Sequence, residues 1–276
     1  MALIPEVIVP GAMKAGSTSV LDWIGSLPDF NTGKIKEPDL FSAGVNGHVL
    51  RLRSLLNYGL GTNDVRVDGT TEYGKFRRSE DTAELVSQFV PDARILFLVR
   101  DPVDRSLSHY RHNVDRGLED RLDPVDAMTV ESDYVLNSLY RACIAPWLRH
   151  FADRVVVLNT DLLFAGSSEE RERLRLFLGL SETSNMLFEQ KNAAGSVTNV
   201  RAARRLTKTL PGYEFLRPLI PTRVRRAAVQ AAGVNERRAD KISVKDDSEA
   251  RKVLNQLLNE EISWMADGCE LREVAI

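Results

Sequence analysis

The run Val7-Ile8-Val9-Pro10-Gly11-Ala12-Met13-Lys14-Ala15-Gly16-Ser17-Thr18-Ser19 decides the fold. Its β-branched opening reads as a short buried strand, and Pro10-Gly11 as a turn. Ser17 reads as the cap of a helix whose apolar face is Val20, Leu21, Ile24 and Leu27, ending near Pro28. A strand that turns through glycine into a hydroxyl-rich helix start brings backbone N–H groups and the positive helix end to one point. Lys14 adds a mobile positive charge there, so the segment has the makings of a phosphate cradle.

Outward from this unit the same alternation repeats. Residues 95–99 and 155–158 are continuous apolar runs bounded by turn signals, which suits strands covered on both faces, and 65–67 is a shorter candidate. Residues 82–89 read as a helix stopped by Pro91-Asp92, and 104–116 as one with Leu107 and Tyr110 inward. Residues 136–151 form a helix leading into the third apolar run. A last helix over about 247–265 puts Val253, Leu254, Leu257, Leu258 and Ile262 on one face, which should pack back on the body. The βα alternation predicts an α/β fold in three layers, α/β/α, around a central parallel sheet, with residues 1–276 as one domain.

Composition narrows the function. The chain's 37 Lys+Arg against 39 Asp+Glu leave a net charge of -2, without the strongly basic footprint of a nucleic-acid binder. Cys143 and Cys269 are too few and too far apart for a disulfide framework or a zinc site and read as reduced core thiols. His48, His109, His112 and His150 have no ligand-like neighbours, so no metal is expected. No window approaches the ~18 apolar residues of a membrane span. The opening MALIPEVIVPGAM lacks a leading Lys or Arg and is broken by Pro5, Glu6 and Pro10, which predicts a cytoplasmic protein rather than a secreted one. Residues 201–226 carry eight Lys or Arg against a single acid, Glu214, and are interrupted by Pro211, Pro218 and Pro221. They read as a basic, lid-like region within 201–240. Such a strip would attract an anionic acceptor or an acidic membrane surface. The plainer reading is that some arginines close over a polyanionic nucleotide and the rest solvate a helical face.

A nucleoside-triphosphate P-loop runs GxxxxGK[ST], whereas Lys14 precedes Gly16 by two residues. The order Lys-x-Gly-Ser/Thr-Thr after a strand resembles instead the 5′-phosphosulfate loop of sulfotransferases that use 3′-phosphoadenosine 5′-phosphosulfate (PAPS). The run Ile95 to Val99 followed by Arg100-Asp101-Pro102-Val103-Asp104-Arg105-Ser106-Leu107-Ser108 resembles the same family's 3′-phosphate motif. Its spacing makes physical sense: Arg100 sits at a strand's carboxyl end, where α/β folds bind ligands, and Ser108 lies on the second turn of the helix that Pro102 opens. Lys36-Glu37-Pro38-Asp39-Leu40-Phe41 resembles the Lys-Glu-x-x-x-Phe segment of the heparan-sulfate-type carbohydrate branch, in which the Glu is the catalytic base. Two departures stand out. Asp39 occupies a position where the family often has His. In Asp68-Gly69-Thr70-Thr71-Glu72-Tyr73, similar to the family's E-K-S/T-P-x-Y, Gly69 replaces the lysine and Thr71 the proline. Lys75, Arg77 or Arg78 would have to stand in for that lysine. Lys191-Asn192-Ala193 through Arg201 loosely resembles the loop that closes over the nucleotide, and Trp264 a tryptophan near the end of many bacterial members.

The resemblance implies a P-loop-like sulfotransferase fold and sulfuryl transfer from PAPS to an acceptor hydroxyl, releasing 3′-phosphoadenosine 5′-phosphate (PAP), without a metal. It implies Lys14 and Glu37 as catalytic residues. Donor contacts would come from Lys14, Ala15, Gly16, Ser17, Thr18, Ser19, Arg100, Ser108, Asn192 and Arg201. The acceptor would be a small molecule or glycan, and peripheral membrane contact is open. Two alternatives stand beside this: a P-loop kinase or NTPase, and a PAP-binding protein without activity. Residues 42–78 and 115–133 are expected to be loops shaping the acceptor pocket.

Overall fold

The computed structural model describes residues 4–60, 64–181, 186, 188 and 247–274. Among the described residues five strands are present: β1 (Val7–Gly11), β2 (Phe30–Asn31), β3 (Val65–Asp68), β4 (Arg94–Val99) and β5 (Val155–Asn159). They form one sheet in the order β2-β3-β1-β4-β5 with every pairing parallel. In register, Ile8 sits between Asp68 and Ile95, and β4 pairs with β5 from Ile95–Val155 to Val99–Asn159. β1 is buried throughout and β4 from Ile95 onward, as expected for strands covered on both faces.

The helices are α1 (Ser17–Ile24), α2 (Gly47–Tyr58), α3 (Ser79–Phe89), α4 (Pro102–Asp115), α5 (Pro124–Ala127), α6 (Asp133–Leu136), α7 (Tyr140–Phe151), α8 (Thr160–Phe164), α9 (Ser168–Leu178), α10 (Ser248–Leu257) and α11 (Asn259–Ala266). With the sheet they make a three-layer α/β/α fold. From β1 the chain crosses to the edge strand β2, returns to β3 beside β1, then crosses to β4 on the other side of β1. That reversal opens a crevice at the carboxyl ends of β1 and β4, where open α/β sheets take their ligands.

Four expectations need correcting. Ser17 is not a cap: Gly16, left-handed at φ 74°, is the residue before the helix, and no side chain caps α1. The interval 42–78 is not mainly loop, since it contains α2 as well as β3. The helix expected over 136–151 starts only at Tyr140 as α7; Leu136 ends the separate short α6, and the side chains of residues 137 and 138 between them bond to other elements. Asn137 Oδ1 accepts from the Phe76 amide (2.9 Å), and Ser138 Oγ accepts from Arg105 Nε (2.6 Å). The last helix breaks at Leu258 into α10 and α11. It does pack back: Ala250, Leu254 and Leu258 join Val103, Leu107, Tyr110 and Val114 of α4 in a second apolar cluster, and Arg251 bonds Asp104 at 2.7 Å. Cys143 and Cys269 are buried free thiols.

Candidate active site

A cavity of about 500 Å³ occupies the crevice. On its β1 side the chain needs two left-handed residues, Lys14 (φ 71°) and Gly16 (φ 74°), to turn from strand into helix. Gly16 is required twice over, because a Cβ there would also lie 2.6 Å from the Phe164 ring. The turn brings the start of α1 to the cavity, where Gly16, Ser17, Thr18 and Ser19 line it; a helix leaves its first amides without intrahelical acceptors, although the Ser19 amide here donates to the Gly16 carbonyl at 3.1 Å. Lys14, Lys36, Arg100 and Arg116 all line the same space. Burial, followed by the charges of Arg116, Lys36 and Arg100, holds the Lys14 ammonium below the ordinary lysine range. An anion placed among them would reverse the electrostatic part of that shift. Lys36 Nζ donates to Thr18 Oγ1 at 2.7 Å, linking the cradle to the 36–41 segment.

On the β4 side Arg100 is held loosely. Its guanidinium lies 3.6 Å from Asp104 and 3.8 Å from Asp161, and its Nε is buried without a hydrogen-bond partner. Its backbone is better fixed: the Arg100 carbonyl accepts from Tyr140 Oη at 2.9 Å. Asp101 caps α4 by accepting from the Asp104 amide (2.7 Å), and Ser108 faces the cavity from that helix. A buried guanidinium nitrogen lacking an acceptor, beside a serine hydroxyl, is a donor set that a phosphate oxygen would complete. His112 and Arg116 extend the Ser108 face by one and two turns. Burial and then the Lys14 charge push the His112 imidazole down to about 4, so it is neutral at pH 7. Arg105 and His109 point the other way. Arg105 is fully buried and donates to Ser138 Oγ and the Tyr134 carbonyl, while buried His109 packs edge-on against Tyr134.

Glu37 reaches the cavity on a loop with two further left-handed residues, Glu37 itself (φ 55°) and Asp39 (φ 49°). Thr71 Oγ1 donates to Glu37 Oε1 at 2.8 Å. The loop is fastened to the end of β3 by a buried carboxylate. Thr70 accepts from the Asp39 amide (3.1 Å) and donates to Asp68 Oδ1 (2.6 Å), while Tyr73 accepts from the Phe41 amide (3.1 Å) and donates to Asp68 Oδ2 (3.0 Å).

A family model described as "Sulfotransferase family" matches residues 60–184. The chain is 24% identical over 186 residues to mouse heparan sulfate glucosamine 3-O-sulfotransferase 3B1, covering 64% of this chain and 46% of that protein. It is 26% identical over 187 residues to human heparan sulfate glucosamine 3-O-sulfotransferase 6, covering 52% of it. This chain therefore spans about half the length of these relatives. A crystal structure of a sulfotransferase from Alicyclobacillus acidocaldarius superposes with a TM-score of 0.54 at 22% identity, covering 80% of this chain and 98% of the other. Over residues 60–184, then, the chain is similar to the sulfotransferase family.

Of the residues that the sequence pointed to, Lys14, Gly16, Ser17, Thr18, Ser19, Glu37, Arg100 and Ser108 line one cavity. Ala15 does not; it is fully buried behind the cradle, its amide bonded to the Ala12 carbonyl. Asn192, Arg201 and the basic region 201–240 lie outside the described residues. The stand-ins suggested for the lysine absent at Gly69 are engaged elsewhere: Lys75 pairs with Glu72, Arg77 with Asp133 (3.6 Å) and Arg78 with Asp39 (3.1 Å). None of the three lines the cavity. Lys36, Thr71, His112, Arg116 and Asp161 do and were not picked out, although Lys36 adjoins Glu37 and residues 112 and 116 follow Ser108 at helical spacing.

Proposed function

We propose that this protein transfers a sulfuryl group from PAPS to an acceptor hydroxyl, with Glu37 as base and Lys14 stabilising the leaving phosphate. The observation that carries the reading is the convergence on one cavity of the Lys14–Ser19 cradle, the Arg100–Ser108 pair and Glu37. The donor would bring an activated sulfuryl group. The chain's residues do the rest. Lys14, the α1 amides and the Ser17–Ser19 hydroxyls oppose the charge that grows on the departing 5′-phosphate. Lys36, bonded to Thr18, adds a second cation beside the cradle. Arg100 and Ser108 hold the 3′-phosphate, which separates this donor from ATP and fixes its position. Glu37, oriented by Thr71, accepts the hydroxyl proton as the new S–O bond forms. The names of the relatives favour a sugar hydroxyl as acceptor.

Calorimetric titration with PAP, with ATP and 5′-AMP as controls, tests the donor site. PAP should bind well above both, and Arg100→Ala should weaken it by roughly tenfold or more, the loss of charge-assisted bonds. PAP binding no tighter than 5′-AMP would end the reading.

A further inference from the structure

Helix α2 buries Leu50, Ser54, Asn57 and Tyr58, yet leaves Leu52 and Leu56 56% and 67% exposed. Val49, 38% exposed, extends that line at helical spacing, and Leu60, 81% exposed, follows just past the helix end. Beside the last turn stands Ile35, 57% exposed, whose amide donates to Asn57 Oδ1 at 2.7 Å while the Lys34 amide donates to the Asn57 carbonyl at 3.1 Å. Arg51 and Arg53 are exposed on either side of Leu52, and Lys34 and Lys36 are exposed on the adjoining loop. No Asp or Glu occurs between Leu40 and Leu60. The next residue along the loop is Glu37, at the cavity mouth.

We propose that α2 and residues 34–36 seat this protein on an anionic lipid bilayer, with the cavity opening at that surface. A row of leucines flanked by arginines is the arrangement of a helix lying in the plane of an interface. The leucines enter the acyl boundary while the arginine stems lie along it and their heads meet lipid phosphates. The charge pattern decides against a second copy of this chain: pairing two α2 faces would bring Arg51 and Arg53 of each copy together with no acid on either helix to answer them. The bare leucines decide against a purely polar anion, which has no use for aliphatic surface. Among the described residues no helix is long and apolar enough to cross a membrane, so the contact is peripheral. The docking stands on α2 alone. Its consequence, that the acceptor hydroxyl is presented at a bilayer, rests on the function proposed above.

Cosedimentation with vesicles tests it, comparing pure phosphatidylcholine with the same lipid carrying about a third phosphatidylglycerol. The full chain should partition onto the anionic vesicles. Leu52→Ser/Leu56→Ser and, separately, Arg51→Glu/Arg53→Glu should each weaken that by about tenfold. These side chains are solvent-exposed, so the urea midpoint should stay put. Variants that sediment like the parent would overturn the proposal and place any lipid contact elsewhere, such as the basic 201–226 region. A concentration-dependent dimer, abolished by the leucine pair and seen without vesicle binding, would overturn it in favour of self-association. PAP titration of the same proteins reads the cavity separately: failure there sinks sulfuryl transfer and leaves the sedimentation to decide the docking.

Discussion

Glu37 is held in a backbone conformation that few side chains tolerate, and so are Lys14 and Asp39. Left-handed non-glycine residues cost on the order of 1–3 kcal/mol each and persist where surrounding bonds over-determine them. Here those bonds run from the Asp39 and Phe41 amides through Thr70 and Tyr73 to Asp68. The reward is a carboxylate and an ammonium facing one cavity from two loops. Glu37→Gln keeps the shape and the Thr71 bond but removes the base, so kcat should fall by roughly 100-fold or more while PAP affinity holds. Lys14→Ala should cost a similar factor in kcat through lost charge stabilisation. Thr71→Val lets the carboxylate swing and should cost about tenfold, in kcat rather than KM. Steady-state kinetics on any accepted hydroxyl would check all three. An unchanged kcat in Glu37→Gln would remove that residue from the chemistry.

At the scale of elements, the fit of α1 against β3 explains a departure that sequence alone left puzzling. A Cβ on Gly69 would lie 2.2 Å from Leu21 Cδ1 and 2.8 Å from Cδ2, so in this chain the position after β3 is closed by the helix that carries the cradle. Reintroducing the family's lysine as Gly69→Lys, or simply Gly69→Ala, should therefore destabilise by about 1–3 kcal/mol through overpacking. Much of that loss should disappear in a Leu21→Ala background, a non-additivity readable by urea denaturation. Additive losses would show that the two residues do not compete for space. The same scale shows what was legible beforehand. β1, β4 and β5 were readable because strands covered on both faces must be continuous apolar runs, and α3 and α4 because their inward residues keep helical spacing. Helix α2 was not, since Leu52 and Leu56 face outward while Ser54 and Asn57 share the buried face with Leu50 and Tyr58, so its apolar periodicity is broken. β2 has two residues and leaves no pattern at all. The cradle, Arg100, Ser108 and Glu37 were readable from local motifs. Lys36, Thr71 and Arg116 matter by convergence from separate segments, which only the folded chain displays.

Among the described residues, two buried titratable groups, Asp68 and His109, act on stability in opposite directions and can be separated. Asp68, fully buried beneath the Glu37 loop, is pushed up to about 6 by loss of solvent. Its native form holds a proton that the unfolded chain releases. Its contribution is therefore fully present below the ordinary carboxylate range and is lost as pH rises through 6. His109, buried against Tyr134, is pushed down to about 2 by loss of solvent and then by the Arg105 charge. It stays neutral while the unfolded chain gains a proton, so its contribution is present above 6.5 and is lost as pH falls below that value toward 2. Between pH 7 and 5 the histidine should cost about 2 kcal/mol and the aspartate return about 1 kcal/mol, leaving the fold weaker in mild acid on account of this pair. His109→Gln should flatten the dependence of the urea midpoint on pH over that interval, whereas Asp68→Asn should steepen it. The absolute stability of either variant is not the readout, because each also loses packing or hydrogen bonds; the slope is. Parallel slopes in parent and His109→Gln would mean that the imidazole titrates as it does in water. The α4 face that carries Ser108 toward the cavity would then be open to solvent from behind.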